Sequence, residues 1–258
     1  MKHQFIHQCR KLGTAAARST LDALMPPSCP VTNEEIGTFG TLSPKAWNAV
    51  HFIAAPFCPR CGVPFAAEYG EEVECPSCIA SPPDFERARA AVVYDDATHK
   101  LIVGFKHSDR TELAPMFANW MVVASQNLVS EASILMPIPL HPSRRFARRY
   151  NQSALLAQGI AKKTGAQLAL NDLVRRRATP PQKDLSADAR RRNVSGAFGF
   201  RDLAAQNRYR GAHVVLVDDV LTTGATLSAA ARALKRGGAA RVDALVLARV
   251  VKGGIGAI

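Results

Sequence analysis

Residues 214–226 limit what this chain can fold into more than any other stretch. They read Val-Val-Leu-Val-Asp-Asp-Val-Leu-Thr-Thr-Gly-Ala-Thr. The four apolar residues 214–217, mostly β-branched, predict a buried strand. Asp218 and Asp219 follow at its carboxyl end. Thr222, Thr223, Gly224, Ala225 and Thr226 then make a short loop into the Ala-rich segment 227–236, which predicts a helix. A strand, a loop of small residues and a helix N-terminus make an anion site: backbone N–H groups approach a phosphate closely and the helix end favours negative charge. The three threonines add hydroxyl donors. Carboxylates repel phosphate, so the paired acids need a different partner. A ribose 5-phosphate meets both demands, with hydroxyls for the acids and a phosphate for the loop. A Walker-type P-loop is excluded because no G-x-x-x-x-G-K-[ST] occurs, and the G-x-G-x-x-G dinucleotide fingerprint is also missing.

Two further Cys-rich knuckles bear on the first third of the chain. Cys58-Pro-Arg-Cys61 and Cys75-Pro-Ser-Cys78 are separated by thirteen residues. Two C-x-x-C pairs at that spacing wrap one tetrahedral metal with four thiolates, and zinc is the ion such a closed sulfur site suits. Disulfides and a redox pair are the competing readings. A cytosolic setting disfavours the first and the matched pairing disfavours the second. Cys9 and Cys29 are left over and are read as free thiols.

At 258 residues and 47% hydrophobic, the chain suits one sizeable domain plus a small one. No apolar run is long enough to span a membrane, and residues 1–24 lack the compact apolar core of a secretion signal, so no membrane insertion and a cytoplasmic location are expected. The formal charge of +12 is concentrated: residues 141–192 hold thirteen Lys or Arg against three Asp. Such a field attracts polyanions, although many basic runs are only solvated faces. Phe146 and Tyr150 are its only aromatics, which favours phosphate contact over base stacking.

The predicted organisation is a helical extension over 1–24, a zinc-finger module over 25–84 and an α/β domain over 85–258. Strands are expected at 90–94, 134–136, 214–217 and 241–250, with 196–200 returning to the same sheet. Helices are expected at 113–128, 151–164 and 227–236, and Asn151 is read as a helix cap. Alternation of strands and helices implies a mostly parallel sheet whose ligands sit beyond the carboxyl ends of its strands. The polar, Arg-rich segment 175–193 reads as a mobile lid or a nucleic-acid-binding arm.

Taken in order, the cysteine knuckles, Pro137-Ile-Pro-Leu-His141, Arg148-Arg-Tyr-Asn-Gln152, Thr179-Pro-Pro-Gln182, Leu185-Ser186, Arg190, Asn193-Val-Ser-Gly-Ala-Phe198 and the Asp-Asp loop resemble the ComF/GntX family over roughly residues 25–250. Hydrophobic run, Asp-Asp, two variable residues and Thr-Gly-x-Thr is also the signature of type I phosphoribosyltransferases, which bind phosphoribosyl pyrophosphate (PRPP). The resemblance implies a type I phosphoribosyltransferase-like α/β fold, a mostly parallel sheet flanked by helices, with a small N-terminal zinc-ribbon-like module. It implies one structural Zn²⁺ on Cys58, Cys61, Cys75 and Cys78, and Mg²⁺ arriving with PRPP.

In that reading Asp218 and Asp219 meet the ribose hydroxyls, directly or through Mg²⁺. Thr222, Thr223, Gly224, Ala225 and Thr226 hold the 5′-phosphate. Pro139, Leu140 and His141 lie near the pyrophosphate, Arg190 contacts it from the lid, and Lys106 is a further candidate. The family is linked to natural competence and the use of external DNA. Implied partners are therefore single-stranded DNA, held in the binding-module alternative by Arg144, Arg145, Arg148 and Arg149, a competence helicase or translocase, and recombination-mediator proteins. The chain departs from the family at Thr32 and at Ser43-Pro-Lys-Ala-Trp47, where further cysteines are expected. One metal rather than two follows, with Cys29 the remnant of a lost site.

Overall fold

The computed structural model describes residues 26–70, 72–107, 110–140, 150–177, 187–194 and 196–251. The chain divides into two compact units, residues 1–49 and 50–258. The predicted helix in 1–24 and the basic residues Arg144, Arg145, Arg148 and Arg149 lie outside the described residues.

In the first unit, Ser28 and Glu35 form an isolated antiparallel bridge. The turn between them buries Cys29 completely. Helix α1 (Pro44–Asn48) starts on Ser43, whose Oγ accepts from the Ala46 N–H at 3.3 Å. Thr32 Oγ and Ser43 Oγ lie 2.9 Å apart, a hydroxyl pair beside Cys29. Burial pushes the Cys29 thiol up, but N–H donation from Ser43 and bonds from Thr32 outweigh it and bring it down to about 6.

The second unit opens with the cysteine knuckles and the short helix α2 (Pro76–Ala80). Its main sheet contains β1 (Ala88–Val93), β2 (Ile134–Pro137), β3 (Gln167–Leu168), β6 (His213–Leu221) and β7 (Arg241–Arg249). The order is β1-β7-β6-β2-β3 and every pairing is parallel. This is the mostly parallel sheet expected. Residues 214–217 and 242–248 bury almost every side chain, as strands covered on both faces must.

Side chains alternate along a strand. Val214, Leu216, Val242, Ala244 and Val246 share one core with Leu227, Ala230 and Leu234 of α8 (Ala225–Arg236). On the same side lie a two-stranded antiparallel ribbon, β4 (Leu173–Arg175) with β5 (Phe198–Phe200), helix α6 (Ala187–Val194) and the short α7 (Leu203–Asn207). Helix α3 (Asp96–His107) follows β1; α4 (Ala114–Ser125) and α5 (Gln152–Thr164) pack on each other and on the sheet. Gly159 permits that approach, because a Cβ there would meet the Ala118 Cβ at 2.6 Å.

The structure corrects four expectations. The strand expected at 214–217 runs on through both acids to Leu221, because β7 continues to pair with it as far as Leu221 with Arg249. Asp218 and Asp219 are therefore strand residues, not loop residues. Residues 198–200 do not return to the main sheet but pair with β4. The helix expected at 113–128 is an α-helix only over Ala114–Ser125, flanked by 3-10 turns at Thr111–Leu113 and Gln126–Leu128. The Arg-rich segment is not one continuous loop: Arg175 is a buried strand residue with its guanidinium over the Phe198 ring, and residues 187–194 are helical.

Candidate functional site

In an open parallel sheet, ligands bind where successive connections diverge to opposite sides. Here the chain leaves β2 for the outer strand β3, and leaves β6 for β7 on the other side. The divergence lies between β2 and β6. The carboxyl ends meeting there are residues 137–140 and 218–226, the two expected ligand segments. Ladder pairing with β2 stops at Pro137 with Val217, extended by one bond from Ile138 N to Val217 O at 2.9 Å. Past that point, among the described residues, β6 pairs with β7 alone, and the acids sit at the crevice where β2 and β6 part.

Adjacent residues in a strand point to opposite sides, and the two acids have different partners. Asp218 Oδ1 accepts from Ser153 Oγ at 2.9 Å and from the Asp219 N–H at 2.9 Å. Asp219 Oδ1 pairs with Lys106 Nζ at 2.8 Å, and both side chains are largely buried. Lys106 is thus not an idle surface lysine. It reaches the site from the end of α3. Ser153, in the first turn of α5, was missed by sequence reading. Its only clue is its place two residues after the helix cap Asn151, whose Oδ1 accepts from the Ser153 N–H at 3.1 Å.

Residues 222–224 join β6 to α8, whose first turn takes in Ala225 and Thr226. Gly224 precedes α8 with φ +78°, a left-handed conformation that side-chain-bearing residues resist. Thr222 and Thr223 are exposed, Ala225 is buried and Thr226 partly so. Pro139 and Leu140 lie at the end of the described β2 segment, while His141 lies outside the described residues. Arg190 belongs to α6, so its backbone sits on a helix rather than on an open lid.

Burial and the neighbouring Asp219 charge push Asp218 up to about 7, against the pull of the Asp219 N–H, Lys106 and Ser153. An unfolded aspartate ionises near 3.8. Between these values the folded chain holds a proton that the unfolded chain has lost, so this group lowers stability as pH rises from 4 to 7 and adds nothing further above that. Asp218→Asn is expected to raise the melting temperature at pH 8 by about 5 °C and to change it little at pH 4. A melting series across this range checks the sign, and equal shifts at both ends would contradict it.

Cys58, Cys61, Cys75 and Cys78 are buried, and their Sγ atoms all lie within 4.8 Å of one another. A zinc tetrahedron with bonds of about 2.3 Å sets sulfurs roughly 3.8 Å apart. The Cys61–Cys75 separation is 3.6 Å, and none of the four is in a disulfide. The Cys75 N–H points at Cys58 Sγ at 3.3 Å, a bond that stabilises a thiolate. The donor set fits a structural zinc.

This knuckle is built into the α/β domain. Ala88 N donates to Arg60 O at 2.7 Å, and a Cβ on Gly62 would strike Ala88 O at 2.7 Å. Arg249, at the end of β7 beside Leu221, donates to Cys61 Sγ at 3.2 Å. A cavity of about 300 Å³ has Cys61 and Cys78 on one wall and Thr223, Gly224 and Ala225 on another. The cysteine cluster and residues 223–225 therefore border one cavity.

Comparison with known proteins bears on both halves. Residues 151–254 match the phosphoribosyl transferase domain, and residues 20–79 match the double zinc ribbon domain. The DNA utilization protein YhgH of Escherichia coli (strain K12) is 33% identical over 199 residues, covering 75% of this chain and 84% of the relative. Competence protein F of Haemophilus influenzae is 28% identical over 202 residues, covering 75% and 85%. Competence protein ComFC of Bacillus subtilis is 27% identical over 206 residues, covering 76% and 79%. No helix among the described residues is long and apolar enough to cross a membrane.

Proposed function

The chain belongs to the ComF family of competence-related proteins with a phosphoribosyltransferase domain, and from that premise we propose that its crevice binds PRPP with Mg²⁺. One observation carries this reading. An Asp pair and a Thr-Thr-Gly-Ala-Thr loop stand together at the sheet's switch point, with a lysine on the second acid. The loop's N–H groups and threonine hydroxyls take the 5′-phosphate. Asp218 and Asp219 accept from the ribose hydroxyls. Among the described contacts each acid uses Oδ1 within the chain, Asp218 toward Ser153 and the Asp219 N–H and Asp219 toward Lys106, and in this reading Oδ2 turns to the ligand. An all-oxygen pair of this kind suits Mg²⁺, which when bound neutralises charge on the pyrophosphate. In this reading Lys106, Pro139, Leu140 and His141 serve the departing pyrophosphate, and Arg190 assists from α6. Breaking the C1′–O bond moves charge onto that leaving group, so positive side chains there supply the stabilisation. Binding of a ligand to the folded form alone raises the melting point, by about 2.7 kcal/mol of stability at one hundred times Kd. PRPP with Mg²⁺ should do so more strongly than ribose 5-phosphate at equal concentration; an equal response to both would argue against a pyrophosphate seat.

Names of the relatives point to DNA use, and the basic segment 141–192 offers a matching charge. In this second reading Arg144, Arg145, Arg148 and Arg149 contact the phosphates of single-stranded DNA, and the chain works in the cytoplasm beside the uptake translocase and recombination mediators. Replacing the four by Ala should weaken DNA binding at all sequences and reduce its salt slope by about 3. An unchanged slope would remove that patch from the interface.

A further inference from the structure

Four consecutive residues at the start of α5 bond three different parts of the crevice. Tyr150 OH donates to Phe105 O at 2.7 Å, and Gln152 Nε2 donates to Lys106 O at 3.2 Å. Asn151 Nδ2 donates to Ile138 O at 3.1 Å, while its Oδ1 caps the helix. Ser153 Oγ donates to Asp218 Oδ1 at 2.9 Å. These targets belong to three segments far apart in the chain: the end of α3 that carries Lys106, the segment after β2 that leads to Pro139 and Leu140, and the acid pair on β6. Helix capping alone needs only the Asn151 side chain. It gives no reason to bury Gln152 and Ser153, at 1% and 4% exposure, where polar groups cost stability unless bonded.

We infer that Tyr150–Ser153 is a positioning hub that sets Lys106, the 139–140 segment and Asp218 at the distances a sugar phosphate requires. The inference deepens, and for its ligand rests on, the PRPP reading. None of the four residues need touch the ligand. Each fixes a group that does, and ordering these groups in advance removes a cost from binding. The acids then divide their work. Asp218 is held on one oxygen by Ser153 and the strand backbone, and so forms the rigid acceptor. Among the described residues the Asp219 carboxylate is paired with Lys106, a longer side chain than Ser153.

Calorimetry of the zinc-loaded full chain with PRPP and Mg²⁺ tests this. Ser153→Ala should weaken binding by about tenfold or more, as loss of a bond to a charged group does, while Ser153→Thr, which restores the hydroxyl, should return close to the wild-type affinity. Tyr150→Phe, which removes the hydroxyl that donates to Phe105 O, should weaken binding by a smaller factor. Wild-type affinity in Ser153→Ala, or no recovery in Ser153→Thr, would overturn the inference. A ligand-free arm keeps the two proposals apart. In urea unfolding, Ser153→Ala should lower the midpoint in the wild-type background and leave it unchanged in an Asp218→Ala background. Additive effects would sink the Ser153–Asp218 link. If the wild type takes up no PRPP, the PRPP reading fails and the unfolding cycle alone decides the hub.

Discussion

Cys58→Ser is expected to lose the metal and to lower the melting temperature by about 10 °C or more. The four thiolates enclose too little apolar surface to hold the knuckle on their own. Among the described residues their cluster gathers only Val63 as a buried non-cysteine residue, with Phe65 and Val251 partly buried against it. Metal binding supplies the folding energy of such a module. The damage should spread, because Arg60 and Gly62 seat β1 and Arg249 anchors the end of β7 to Cys61. A chelator acting on the wild type should give the same loss, and added zinc should reverse it. Metal content measured beside the melting curve is the check. A Cys58→Ser protein that keeps one zinc per chain would remove Cys58 from the ligand set.

The second large effect concerns the acids. Asp218→Asn with Asp219→Asn should weaken PRPP binding by more than about a hundredfold, since two charge-assisted acceptors and the seat for Mg²⁺ go together. The protein should stay folded, because Asn keeps the shape and removes one poorly solvated charge at Asp218. Affinity for single-stranded DNA should hold or rise, as the net positive charge increases by two units on this substitution. Filter binding at several salt concentrations alongside PRPP titration separates the sites. Parallel loss of both ligands would mean one site, not two.

How much of this was legible beforehand depends on sequence distance. The Asp-Asp stretch with its Thr-Thr-Gly-Ala-Thr tail and the cysteine knuckles are local patterns, each complete within about twenty residues, and the structure forms a strand, turn and helix at the first and a four-sulfur cluster at the second. The strand end was misjudged because Asp is a poor strand former. Pairing with β7 overrides that preference and carries β6 through both acids. Residues 198–200 have the apolar alternation of a sheet strand, and nothing local says which partner they take; β4 won them. The contacts of Ser153 with Asp218 and of Lys106 with Asp219 join residues far apart in sequence, so no window could hold them. Even so, the Tyr-Asn-Gln segment was singled out as a motif before its role was visible.

The central claim is that the crevice between β2 and β6 still takes PRPP. Titration of PRPP with Mg²⁺ into folded, zinc-loaded protein, followed by heat, tests it most directly. The account predicts saturable binding at about one equivalent that requires Mg²⁺ and exceeds that of ribose 5-phosphate. Absence of heat and of any thermal stabilisation at millimolar PRPP would contradict it.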